Sequence, residues 1–217
     1  MAPFNRLVLM MTRPWVIIAF ILIVTLLFLY VDKPLAEYLA LKNFRVNFLF
    51  LNHFTKLGLG LTYFITFFLG MLYFRYIKIN RIWEARMCFL WLCVVVSSVF
   101  CGILKVIFSR ARPDMWFSGH YYGFYWLKAN APFWSFPSGH TTNIMAIAFG
   151  LCVLFPRFFY AFLLVGFSIA FSRVLLIHHY FSDIVTGTYL SLLSVALILW
   201  FLRKKSWLEP IWRDTVY

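Results

Sequence analysis

The chain has 217 residues, of which 64% are hydrophobic and only 12% charged, and a formal net charge of +13. A soluble chain is about half apolar and about a quarter charged, and a core of this size cannot hide so much apolar surface. A soluble, secreted, fibrous or disordered protein is therefore excluded, and an integral membrane protein of one domain, residues 1–217, is expected.

Runs without charge mark the predicted spans. They lie between Arg13 and Asp32, Lys56 and Arg75, Arg86 and Lys105, His140 and Arg157, Arg157 and Arg173, and Asp183 and Arg203. A spanning helix needs about 20 mostly apolar residues, and the two shorter runs reach this only with polar residues at their ends. The expected fold is all-α and polytopic, with six transmembrane helices. Continuous apolar runs, rather than short alternating segments, argue against a barrel.

The first run follows a basic start, as in a signal peptide. It is too long for one and no small-residue cleavage site follows, so it reads as span one. Residues 32–57 mix Leu, Phe and Tyr with Lys33, Lys42, Arg45 and Lys56, the pattern of an interfacial helix in the first outer loop. Residues 109–137 carry Trp116, Tyr121, Tyr122, Tyr125, Trp126 and Trp134, some of which an aromatic belt at headgroup level accounts for. Phe155-Pro156-Arg157 is a tight turn, so spans four and five should form an antiparallel hairpin. Cys88, Cys93, Cys101 and Cys152 all fall in predicted spans without metal-ligand spacing, which suits packing rather than disulfides.

An even number of spans puts both termini on one side. That side, with the segment around Arg75 to Arg86, the turn at Arg157 and the C-terminal tail, carries slightly more Lys and Arg than the other. The positive-inside rule then makes it cytoplasmic. The basic residues form no dense cluster, which argues against nucleic acid as a partner and for headgroups or an anionic substrate.

Ionisable residues at or within a membrane are costly and point to function. They fall in three groups. The first runs from Lys105 through Arg110 to Arg112-Pro113; seven residues apart, Lys105 and Arg112 would share one face if the helix continued. Read alone, it is equally a snorkelling basic cap. The second is Pro137-Ser138-Gly139-His140, where Ser138 is a natural N-cap and the open amides of the following helix suit an anion. Read alone, it is an ordinary helix start. The third runs from Ser172-Arg173 to His178-His179 and Asp183. His179 and Asp183, at i and i+4, would be neighbours on one helix face, and a carboxylate beside an imidazole fixes its tautomer. His178 points elsewhere and is not expected to act. The loops holding these groups must lie on one side of the membrane, so three cations, a helix N-terminus, two histidines and an aspartate converge. That inventory suits binding and attacking a phosphate.

These residues resemble the type 2 phosphatidic acid phosphatase (PAP2) family of membrane lipid phosphatases, whose motifs read K-x6-R-P, P-S-G-H and S-R-x5-H-x3-D. Lys105 to Pro113, Pro137 to His140 and Ser172 to Asp183 match them in order and without departure. The resemblance implies that His179 is the nucleophile, forming a phosphohistidine, with Asp183 orienting it. It implies that His140 protonates the leaving lipid oxygen and then activates water. Lys105, Arg112, Ser138, Gly139 and Arg173 would hold the phosphate oxygens. No metal or other cofactor is implied, and the sequence shows no carboxylate cluster suited to Mg²⁺.

The expectation is a lipid phosphate phosphatase of a bacterial inner membrane, its site on the periplasmic face and its substrate a membrane lipid, with no obligate protein partner. Such relatives act on lipid A phosphates, undecaprenyl diphosphate and phosphatidylglycerol phosphate, which the motifs do not separate. The compact chain and basic outer loops favour a lipid A phosphate, at the 1- or 4'-position. A phosphotransferase remains a second reading. A lipid transporter would show broken spans and charges near the midplane, and the charges here lie at predicted span ends.

Overall fold

The computed structural model describes residues 2–42 and 44–212; residues 213–217, counted above with the cytoplasmic tail, lie outside the described residues. The chain opens with α1 (Pro3–Met11), whose Phe4 is buried in the core. Pro14 starts α2 (Pro14–Lys42), at a position where its missing N–H leaves no bond unmade. After a short helical turn at Phe44–Asn47, α3 (Leu49–Gly58) and α4 (Gly60–Tyr76) follow, bent by 48° at their junction. Asn80 caps α5 (Arg81–Phe108) by accepting from Ile82 N at 3.1 Å and Trp83 N at 3.2 Å. The remaining helices are α6 (Pro113–Gly119), α7 (Gly139–Leu154), α8 (Pro156–Leu175), α9 (Phe181–Lys204) and α10 (Glu209–Trp212). No β-strand forms among the described residues.

Helices α2, α5, α8 and α9 are long and apolar enough to cross a bilayer, and the bent pair α3–α4 makes a fifth span if counted as one. The expected six is not reached on this measure, because the predicted fourth span, α7, has only 16 residues. At 1.5 Å per residue that is about 24 Å, against a hydrocarbon thickness of about 30 Å. Helix α7 is enclosed by α5, α8 and α9 and buries Ile144, Met145, Phe149 and Val153. A helix surrounded by protein is not obliged to match the lipid. Its neighbours approach closely: a Cβ on Gly150 would meet Leu90 Cδ2 at 2.9 Å, and one on Gly166 would meet Met145 Sδ at 2.9 Å. Small residues permit this contact between apolar helices. All four cysteines are free.

The first part of the segment expected to be interfacial after span one is instead an extension of α2. Asp32–Lys42 continues α2 through a π-helical stretch at Leu27–Val31. Asp32 is not a surface charge; it is 1% exposed. Its burial by partners described below replaces the water that an interfacial helix would need. By contrast, the Pro14–Leu26 part of α2 contains no buried residue, as expected of a lipid-facing helix.

The turn at Pro156 joins α7 and α8 as the sequence predicts. Phe4 and Asn5 of α1 share a cleft with Arg203 and Lys204 of α9, so the start of the chain and the end of α9 lie together. Asp183 begins α9 at its other end, roughly 30 Å away by helical rise. The three motif segments gather at that far end.

Candidate active site

The first motif leaves its helix earlier than a continuous register requires. Ser109 ends α5 in the left-handed region, at φ 42°, and its N–H donates to Lys105 O at 2.9 Å. Its hydroxyl accepts from Lys128 N at 2.7 Å, which offsets the strain of that conformation. Lys105 and Arg112 are therefore not on one helix face; the expected helical pairing is replaced by a loop. Ala111 N donates to Gly123 O at 3.1 Å, Arg112 N to Pro132 O at 3.0 Å and Ser135 N to Arg110 O at 3.0 Å. These bonds fold the aromatic loop onto the first motif. Lys105 Nζ donates to Trp134 O at 2.6 Å.

The second motif starts α7. Ser138 is fully buried, and its Oγ accepts from Thr141 N at 3.5 Å and Thr141 Oγ1 at 3.1 Å, which makes it the N-cap predicted for it. Its own N–H donates to Asp183 O at 3.2 Å, tying the second motif to the third. A Cβ on Gly139 would lie 3.5 Å from Lys105 Cε, so the lysine stem runs beside the first amides of the helix. His140 follows in the first turn, where the charges of Arg173, Lys105 and Arg112 all bear on it. This is the N-terminus that the sequence marks as an anion site.

The third motif is a turn between two helices. Arg173, 7% exposed, donates through Nη1 to Thr55 Oγ1 at 3.1 Å. Its carbonyl accepts from the N–H groups of both His178 (3.0 Å) and His179 (3.3 Å), in a turn that carries Ile177 at φ 57°. His179 is 3% exposed and His178 only partly buried. The expectation that His179 and Asp183 share a helix face is corrected, because His179 precedes α9 and only Asp183 lies in it. Asp183 Oδ2 accepts from Tyr180 N at 2.9 Å, as an acidic side chain in the first turn does when it reaches back to the N-cap. That fold-back brings Oδ2 within 3.5 Å of His179 Nδ1.

The His179 pKa is pushed well below its usual range by burial. The Asp183 carboxylate opposes that, and the charges of Lys105 and Arg112 add to it. The balance favours the neutral imidazole, which keeps a lone pair on one ring nitrogen. Nδ1 is the ring nitrogen that faces the carboxylate, so a proton held there leaves the lone pair on Nε2.

Four polar residues in the site have no assigned role in the sequence reading. Arg110 is fully buried and donates through Nη1 to Asp183 Oδ1 at 2.6 Å and to Ser182 Oγ at 2.7 Å. Through Nη2 it donates to Asp32 Oδ2 at 2.8 Å. Ser182 N donates to Asp32 Oδ1 at 2.9 Å, and the Ser182 hydroxyl also donates to Asp32. Ser135 Oγ donates to Asp183 Oδ2 at 2.5 Å. The Arg110 guanidinium lies over the rings of Tyr180 at 4.3 Å and Phe28 at 4.9 Å, with Phe124 and Tyr122 beyond. Burial works against its charge, but Asp183 and Asp32 together outweigh that and hold its pKa above normal. The signal in the sequence was the charge of Asp32 next to an apolar run; its partner was not readable there.

Lys105, Ser138, Gly139, His140, Arg112, Arg173, His179 and Asp183 thus belong to one site. Among the described residues, no group of three or more His, Cys, Asp or Glu is placed to hold a metal ion. The cations and the helix N-terminus suit a polyanion.

Comparisons with known proteins agree on the kind of chain. Similar sequences include the "Lipid A 1-phosphatase" of Rhizobium etli, 35% identical over 99 residues. The protein of the same description from Rhizobium johnstonii is 34% identical over 99 residues. These matches cover 46% of this chain and 43% and 41% of the two relatives, so the shared stretch spans less than half the length of either. The fold is similar to the crystal structure described as the first transmembrane PAP2 type phosphatidylglycerolphosphate phosphatase from Bacillus subtilis. That likeness has a TM-score of 0.50 at 24% identity and covers 93% of this chain and 92% of the other. The sequence pattern of the PAP2 superfamily matches residues 86–207, more than half of the chain and all three motifs. The chain belongs to the PAP2 superfamily.

Proposed function

We propose that the protein is a membrane lipid phosphatase that removes a phosphate from a lipid headgroup through a phosphohistidine on His179. The observation that carries this reading is the buried His179–Asp183 pair facing the cationic N-terminus of α7. Lys105, Arg112 and Arg173, with Ser138 and the Gly139 amide, bind the phosphate oxygens and stabilise the charge that builds on them in the transition state. Nε2 of His179 attacks phosphorus as the bond to the lipid oxygen breaks, and His140, taking up a proton as the bound phosphate offsets the cations around it, delivers that proton to the oxygen. His140 then takes a proton from water, which attacks the phosphohistidine and releases inorganic phosphate. In this reading the protein's own cations supply the charge stabilisation, with no metal involved.

The substrate favoured is a lipid A phosphate. The description of the two Rhizobium relatives as lipid A 1-phosphatases supports it, as do the basic outer loops. The site lies at the opposite end of the helices from α1 and the end of α9. With the termini in the cytoplasm, it opens on the periplasmic side of a bacterial inner membrane.

The test is phosphate release by purified protein in detergent, against lipid A, undecaprenyl diphosphate, phosphatidylglycerol phosphate and phosphatidic acid, with His179→Ala as the blank. Preferred release from lipid A supports the reading. Release from none of the four would refute it. A preference for another of the lipids would retain the phosphatase and reassign its substrate.

A further inference from the structure

Helix α2 is bare of buried residues from Pro14 to Leu26, yet further along it carries a fully enclosed carboxylate, Asp32. Asp32 Oδ2 accepts from Arg110 Nη2 at 2.8 Å, and Arg110 Nη1 reaches Asp183 Oδ1 at 2.6 Å. Both aspartates and the arginine have no exposed side-chain surface. One and five residues beyond Asp32, α6 docks against α2: Lys33 Nζ lies 3.9 Å from the Trp116 ring centre, and Trp116 Nε1 donates to Glu37 Oε1 at 3.1 Å. The first span is thus joined to the site end by polar groups, and Asp32 among them is linked through Arg110 to the carboxylate beside the histidine.

We propose that Asp32 and Arg110 are positioning residues for the nucleophile, so that the first span, outside the three motifs, contributes to the reaction. The argument is one of charge and geometry. A guanidinium has donors for two carboxylates in a rigid fork. Its bond to Oδ1 of Asp183 locks that carboxylate with Oδ2 toward His179, while Ser135 and Tyr180 N hold Oδ2 from other sides. An unbalanced Arg110 would draw the negative charge of Asp183 away from the imidazole. Asp32 supplies the balance, so the buried cluster of two acids and one base keeps a net negative charge for His179. The charged groups that face His179 itself are Asp183, Lys105 and Arg112, with Arg173 and His140 in the same cluster. Asp32 acts on it only through Arg110 and Asp183.

This inference rests on the reading of His179 as nucleophile. The test uses purified full-length protein in detergent, with kcat and KM for phosphate release from lipid A per amount of folded protein by size exclusion. Asp32→Asn should lower kcat by about tenfold or more, the scale for groups that orient a reactive histidine, and leave KM within about twofold. It should also move the acid limb of the pH profile to lower pH, because a nearby negative charge is lost. Asp32→Glu should return the limb toward its original position. Arg110→Lys keeps the charge without the fork and should lower kcat with KM unchanged; it also serves if Asp32→Asn does not fold. A folded Asp32→Asn or Arg110→Lys with unchanged kcat and pH profile overturns the proposal. So does a rate loss that merely tracks lost folded protein while the limb stays in place. His179→Ala runs alongside: if it still turns over, the nucleophile assignment fails, whereas an inactive His179→Ala beside a fully active Asp32→Asn sinks only the positioning role.

Discussion

Arg110 and Asp183 form a 2.6 Å ion pair in which neither side chain is exposed. The pair joins the first motif to the third and is completed by Asp32 on the far side of the guanidinium. Removing one partner of such a pair leaves the other charge buried and uncompensated. Arg110→Ala should therefore cost about 3–5 kcal/mol of stability, seen as a lowered thermal unfolding temperature in detergent. An unchanged unfolding temperature would show that the aspartates find other partners.

The two adjacent histidines should behave differently. His179 is buried against Asp183, whereas His178 is partly exposed. His179→Ala should reduce kcat by at least about 10³-fold, as loss of a nucleophile does, while a well-folded protein remains. His178→Ala should stay within about threefold of the original rate, as changes away from the reacting groups do. Equal damage from both would mean that the wrong histidine is assigned.

The pH profile should reflect the depressed pKa of His179. The attacking form of His179 is neutral, so the contribution of His179 to activity is lost as pH falls through its folded value. Burial, with Lys105 and Arg112, holds that value below the ordinary one. The attacking form should therefore persist below about pH 6.5, the usual imidazole midpoint. The check is the acid limb of kcat/KM; a limb at or above that midpoint contradicts a depressed His179 pKa.

Removing metal should leave the rate unchanged. The proposed site draws its positive charge from Lys105, Arg112 and Arg173, so dialysis against EDTA followed by assay in chelator should give the original turnover. A loss of rate restored by one added divalent cation would refute the metal-free reading.

The contact between α7 and α8 leaves no room at Gly166. A Cβ there would meet Met145 Sδ at 2.9 Å and Ala148 Cβ at 3.0 Å. Gly166→Leu should lower stability by about 1–3 kcal/mol, the scale for overpacked cores, measured by thermal unfolding. An unaffected protein would mean that α7 and α8 separate more readily than their packing suggests.

Much of this protein was legible in its residues. Apolar runs and sparse charge establish a helical membrane chain because burial in lipid constrains every residue of a span. The spacing of Lys105, Arg112, Ser138, His140, Arg173, His179 and Asp183 marks the chemistry, since each motif is local. What periodicity could not show is how the chain travels between those positions. Ser109 turns out of α5 and His179 stands before α9, so both expected helical pairings are made by loops and caps instead. The length of α7 was also out of reach, because enclosure by three neighbours, not lipid thickness, governs it. The deepest part of the site belongs to the tertiary structure alone. A buried charge takes the opposite charge that packing leaves within reach once water is gone, and only the folded arrangement brings Asp32 and Arg110 behind Asp183.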